Sequence, residues 1–85
     1  IPPSSFPPEA MPFDRELDVR GLRCPLPILR AKKALADMSS GQVLHILATD
    51  PASLQDFTAF ARQTGNTLLE NRQDGDLIEF LVQRK

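Results

Sequence analysis

Leu17-Asp18-Val19-Arg20-Gly21-Leu22-Arg23-Cys24-Pro25-Leu26-Pro27-Ile28-Leu29 is the segment around which the 85-residue chain is organised. Leu17 and Val19 alternate with polar neighbours and predict a short strand over residues 16–20. Gly21 permits the turn that follows. Pro25 and Pro27 suit the first turn of a helix, where a backbone N–H has no intrahelical acceptor to lose. A residue before proline is steered out of the α region, so regular helix is expected from Pro27, with residues 24–26 as a stiff lead-in. Cys24, the only cysteine, then lies on an exposed turn between strand and helix. The amides of Leu26, Ile28 and Leu29 remain to hydrogen-bond a sulfur anion there.

Residues 19–33 contain Arg20, Arg23, Arg30, Lys32 and Lys33 and no acid. Helix dipole and cations together predict a Cys24 thiol pushed toward thiolate. A small, buried structural cysteine is the competing reading. The basic block would steer an acidic partner surface to the thiol. For Arg30, Lys32 and Lys33 taken singly, a solvated helix face explains the charge as well. Over the whole chain, 10 basic and 11 acidic side chains give a net charge of −1, which argues against a dedicated nucleic-acid or membrane binder. The absence of Trp and Tyr removes most base-stacking platforms. One cysteine cannot form an internal disulfide and fits a reducing, cytoplasmic setting. No apolar run reaches membrane-spanning length.

Eighty-five residues make one thin-cored domain, expected as a monomer or weak dimer. Residues 1–13 hold five of the eight prolines, so residues 1–14 read as a Pro-rich tail or linker preceding a domain over residues 15–85. The chain opens on Ile rather than Met, so the tail is native, a junction from a longer protein, or appended sequence. Past the cysteine, Ile28, Ala31, Leu35 and Met38, with Ala34 beside them, recur at helical spacing. Gly41 is the expected C-terminal cap. Residues 42–49 alternate as a strand, with Leu44, Ile46 and Ala48 on one face and Val43, His45 and Leu47 on the other. Asp50 is the expected N-cap of a second helix, with Pro51 its first residue. Leu54, Phe57, Phe60 and Ala61 form its apolar stripe, and Gly65 closes it. Capping and dipole complementarity account for Asp50 and Asp56. Residues 67–73 and 77–83 are strands joined through Asp74-Gly75, a strong hairpin signal.

The order βαβαββ predicts an α+β fold. It is a two-layer α/β sandwich, with a four-stranded mixed sheet carrying two helices on one face. The other face would present Val43, Leu47, Leu77 and Leu81 around His45, too apolar to stay wet. The tail, a second copy or a partner is expected to cover it. His45, with no cluster of ligands near it in sequence, reads as a strand residue and not a metal ligand.

Leu17-Asp18, Gly21-Leu22 and Cys24-Pro25-x-Pro27 together resemble the mark of the TusA/SirA-like family of small sulfur carriers, Leu-Asp-x-x-Gly-Leu-x-Cys-Pro-x-Pro. The resemblance continues through Gly41, Leu44, Ile46, Asp50-Pro51-Ala52, Asp56, Ala59-Phe60 and Gly65, covering residues 15–84. It implies the same βαβαββ sandwich and a sulfurtransferase of the carrier type. Cys24 would accept sulfane sulfur from a cysteine desulfurase or rhodanese-like donor, hold it as a persulfide, and pass it to an acceptor relay protein. Thiolation of transfer RNA is one such destination. Gly21, Pro25 and Pro27 would position the cysteine. Arg20, Arg23, Arg30, Lys32 and Lys33 are the candidates for its field and for partner docking. No metal or other cofactor is implied, and no stable nucleic-acid complex. Phe57-Thr58, Asn66 and Ala61 depart from common family residues and bear on which branch applies. Two other readings make separate predictions. A partner-binding regulatory module, with Cys24 structural or redox-sensing, would tolerate Cys24→Ser. An RNA-binding domain would lose salt-dependent binding when Arg23, Arg30 and Lys32 are neutralised.

Overall fold

The computed structural model describes residues 13–85. Its elements follow the expected order: β1 Arg15–Val19, α1 Leu26–Ala36, β2 Val43–Ala48, α2 Ser53–Thr64, β3 Thr67–Asp74 and β4 Leu77–Gln83. The sheet order is β1-β2-β4-β3. β1 and β2 are parallel, and the β2/β4 and β3/β4 pairs are antiparallel. The Pro-rich residues 1–12, and the expectation that they cover the sheet, lie outside the described residues. Asp14 is already part of the domain, its N–H donating to the Val43 carbonyl and its carboxylate accepting the Val43 N–H.

One sheet face packs under the helices. Val19, Leu44, Ile46, Ala48, Ile78, Phe80 and Val82 meet Ala31, Leu35, Phe57 and Phe60 in a single apolar cluster. Phe57 is its centre, 4.8 Å from the Phe80 ring and 6.2 Å from the Phe60 ring in an edge-on contact. Strand alternation in β2 and β4 assigns these faces as the sequence predicts.

Three local expectations are corrected. Gly41 does not cap α1, which ends at Ala36. Its last turn is tightened by Asp37 N–H to Ala34 O and Met38 N–H to Leu35 O bonds, and this needs no left-handed residue. Gly41, at φ +86°, instead turns the chain into β2 and donates to the Arg84 carbonyl. Asp50 lies two residues ahead of the α2 N-cap, Ala52, because a turn closed by Ser53 N–H to Asp50 O precedes the helix. Leu54 is exposed. The buried face runs through Ser53, Phe57, Phe60 and Ala61, and Leu54 lies about 100° from Ser53 around the axis. Gly65 closes α2 as expected, with φ +79° and its N–H on Ala61 O.

The open sheet face is less apolar than predicted. Buried His45 places Nδ1 2.9 Å from Glu16 Oε2 on β1 and Nε2 2.9 Å from Glu79 Oε1 on β4. Arg72 of β3 pairs in register with Glu79, so charged positions run across all four strands. Phe13 lies over the imidazole, with ring centroids 4.7 Å apart. β3 is mostly exposed and broken by a bulge between Leu68 and Glu70.

Candidate functional site

Because β1 and β2 are parallel, their C-terminal ends and the N-termini of α1 and α2 share one end of the sandwich. Cys24 is there, exposed, in the β1–α1 connection. Gly21, at φ +82°, turns the chain away from β1 in a conformation that side-chain-bearing residues rarely adopt. Its N–H donates to Thr49 Oγ1 at 2.8 Å. The peptide joining Cys24 to Pro25 is cis. Leu26 N–H donates back to Arg23 O across the turn, and Leu29 N–H takes Pro25 O as its helical acceptor. α1 therefore begins at Leu26, one residue earlier than proline sterics suggest, with Pro27 buried in its first turn. The Leu26 and Leu29 amides are committed to backbone, so two of the three donors expected for a sulfur anion are already used.

The β2–α2 connection grips this loop. Asp50 Oδ2 accepts the Cys24 N–H at 2.8 Å, while Oδ1 accepts the Ala52 N–H at 3.1 Å. These two N–H donors, that of Cys24 foremost, hold the Asp50 carboxyl below its ordinary value. Gly21, Leu22, Arg23, Thr49, Asp50 and Pro51 line a shallow hollow beside the cysteine.

The expected activated thiolate is corrected. The Cys24 thiol is pushed above its ordinary value, first by its hydrogen bond to Asp56, then by desolvation and the negative charges of Asp56 and Asp50. The basic run does not outweigh these acids because it does not converge on sulfur. Arg20 is engaged by Asp18, at 2.9 and 2.8 Å, and each holds the other ionised: the Asp18 pKa is lowered and the Arg20 pKa raised. Arg23 borders the hollow and acts on Asp50. Arg30 is exposed on α1, and Lys33 lies in its last turn. Lys32 lines a groove at the far end of the helices with Phe60, Thr64, Arg84 and Lys85.

Sequence reasoning treated Asp50 and Asp56 as caps and passed over Thr49. Cys24 and Asp50 are 26 positions apart, and only the parallel β1/β2 pairing brings them together. A second missed feature is apolar. Leu26, Leu29 and Leu54, in the first turns of the two helices, are exposed at the cysteine's end, Leu29 by 54%. What remains is an exposed cysteine on a loop held by hydrogen bonds, with carboxylates that raise its thiol pKa beside it and an apolar rim. Among the described residues no helix is long and apolar enough to cross a membrane.

Comparison with known proteins agrees with this geometry. The family model described as Sulfurtransferase TusA matches residues 15–84. The sulfur carrier protein TusA of Allochromatium vinosum is 62% identical over 72 residues, which span 85% of this chain and 95% of that protein. YrkI of Bacillus subtilis is 43% identical over 74 residues, spanning 87% of this chain and 99% of its own. The crystal structure of a SirA-like protein from Desulfitobacterium hafniense superposes with a TM-score of 0.73 at 32% identity, covering 82% of this chain and 96% of that one. With its Cys24-Pro25-x-Pro27 turn, its βαβαββ sandwich and a family match running from β1 to the end of β4, this chain belongs to the TusA sulfurtransferase family.

Proposed function

We propose that the protein is a cytoplasmic sulfur carrier whose Cys24 holds sulfane sulfur as a persulfide between a donor and an acceptor protein. The observation that carries this reading is the exposure of Cys24 on a loop fixed by hydrogen bonds from a separate element. A cysteine kept only for packing would be buried.

In the loading step the Cys24 sulfur attacks the outer sulfur of a donor persulfide, on a cysteine desulfurase or a rhodanese-like protein. A bond forms between Cys24 Sγ and that sulfur, and the donor's S–S bond breaks. The thiol proton ends on the departing donor thiolate, so the exchange is redox-neutral. Unloading repeats the step, with an acceptor cysteine attacking the outer sulfur on Cys24. Rate follows thiolate fraction and access. Access is built in, while Asp56 and Asp50 oppose ionisation of the empty carrier's thiol. A persulfide is more acidic than its thiol, so the loaded carrier ionises more readily than the empty one. Leu26, Leu29 and Leu54 form the apolar part of the partner surface, with Arg23 and Arg30 at its edge. Delivery toward transfer RNA thiolation is one destination consistent with this chemistry.

The test is intact-mass spectrometry after incubation with a cysteine desulfurase and cysteine, and separately with a rhodanese-type donor. The expected result is a gain of one sulfur atom, lost on reduction and absent in Cys24→Ser. No gain with either donor would overturn the carrier reading. It would favour a regulatory module in which Cys24→Ser leaves partner binding intact.

A further inference from the structure

We infer that Asp50 is a positioning residue for sulfur transfer: its carboxylate bridges the Cys24 and Ala52 amides and so fixes the direction in which the Cys24 side chain is presented. The inference rests on the carrier reading above and adds a residue outside the cysteine loop to it. Three observations carry it. Asp50 uses both carboxylate oxygens on backbone donors, one on each side of the cleft between the cysteine loop and α2. The neighbouring Thr49 hydroxyl holds the Gly21 N–H, so consecutive residues of one connection grip the cysteine loop at its hinge and at the cysteine itself. The loop's own bonds are local: Leu22 N–H to Val19 O and Leu26 N–H to Arg23 O. They close turns; what ties the loop to other elements is Leu22 packed against the core, the Cys24 thiol on Asp56, and the backbone grip of Thr49 and Asp50.

The arrangement has an electrostatic cost that marks it as more than capping. A carboxylate beside a nucleophilic sulfur opposes thiolate formation. A neutral hydroxyl would satisfy one amide without that effect, but only a carboxylate supplies two acceptor oxygens to two amides. Orientation is worth more than ionisation here, because a misplaced nucleophile loses rate even when it is ionised. The two effects of Asp50 therefore have opposite signs toward a small reagent and toward a protein donor.

The experiment compares wild type, Asp50→Ala and Thr49→Val by three readouts. These are Cys24 alkylation by iodoacetamide against pH, hydrogen exchange of the Cys24 amide by NMR, and sulfur loading from a desulfurase resolved into kcat and KM. In Asp50→Ala, alkylation at neutral pH should speed up as a negative charge is removed, and Cys24 amide protection should fall at least about tenfold. Desulfurase-dependent kcat should fall by a similar factor, with KM within about twofold. Thr49→Val should lower kcat without moving the alkylation profile, since no charge changes. If Asp50→Ala fails to fold, Asp50→Asn, with one acceptor oxygen for two amides, carries the test with a drop of about threefold or more. Loading by Asp50→Ala, or by Asp50→Asn in its place, within about twofold of wild type would overturn the inference, as would an unchanged Cys24 amide exchange rate. A wild-type protein that takes no sulfur would refute the carrier reading alone; the amide exchange would still decide whether Asp50 holds the loop.

Discussion

Replacing His45 by leucine should nearly unfold the domain, although it is an apolar substitution at a buried position. The imidazole lies between two carboxylates, at 2.9 Å from each, and leucine of similar volume removes its hydrogen bond from both. Their situations differ: the Glu79 side chain is 1% exposed and that of Glu16 36%. Water can replace histidine for Glu16, so that contact contributes about 1 kcal/mol or less. Glu79 is out of water's reach, and removing its imidazole partner from a buried pair costs about 3–5 kcal/mol. A domain of this length has about 5 kcal/mol or little more in total. Three kcal/mol would lower Tm by about 12–24 °C and, at an m-value of about 1 kcal/mol/M, the urea midpoint by about 3 M. Urea titrations followed by circular dichroism at pH 7 check this. Glu79→Ala should cost nearly as much as His45→Leu and Glu16→Ala far less. The double variant His45→Leu/Glu79→Leu should recover most of the loss, because apolar replacement of a whole buried pair is commonly neutral or better. Equal costs for Glu16→Ala and Glu79→Ala would refute the reasoning, as would a double variant no more stable than His45→Leu.

Three further outcomes are expected. Among the described residues nothing hydrogen-bonds the buried Ser53 Oγ, so Ser53→Ala should be neutral or stabilising by up to about 1 kcal/mol in the same titration. Gly21→Ala should cost about 1 kcal/mol, because φ is +82° and an added Cβ meets nothing within 4 Å; a much larger loss would mean the loop is under tension beyond its backbone angle. Asp18 and Asp50 have lowered pKa values, through Arg20 and through the Cys24 and Ala52 amides respectively. The unfolded chain therefore binds more protons, and their stabilisation is complete above the ordinary aspartate value of about 3.9 and lost as pH falls through the lower folded values. Urea midpoints between pH 6 and pH 3 should fall mainly below about pH 4, and Asp50→Asn should flatten that fall.

The fold was largely legible because its signals are local. Alternation in β2 and β4, the Asp74-Gly75 hairpin, the proline-led α1 and the Gly65 cap each lie within one element and its flanks. The chemistry of the site was half legible. The cysteine and its turn announce themselves, but the state of the thiol depends on distances between elements. Counting charges along residues 19–33 gave a positive field, whereas in space Arg20 is taken by Asp18 and Lys32 lies at the other end of α1. The acids that act on sulfur come from positions 50 and 56. His45 shows the same limit, with its partners 29 and 34 residues away. A clue was present in β4, where Glu79 interrupts the otherwise apolar face of Leu77 and Leu81. Leu54 was misplaced because it lies at the margin of the stripe: it shares the Phe57/Ala61 spacing, but the buried face extends the other way, toward Ser53 and Phe60.

The outer strand β3 bears on how the molecule behaves in a crowd. Among the described residues the sheet has two unpaired edges, β1 and β3, each a template for pairing with another chain. β3 carries Glu70, Arg72 and Asp74 along its exposed length, and its bulge at Leu68/Glu70 breaks the even spacing a docking strand would need. On the opposite edge β1 presents Arg15, Glu16 and Asp18. Backbone-to-backbone association is thereby discouraged at both margins, which keeps the sheet from growing by adding strands from other copies.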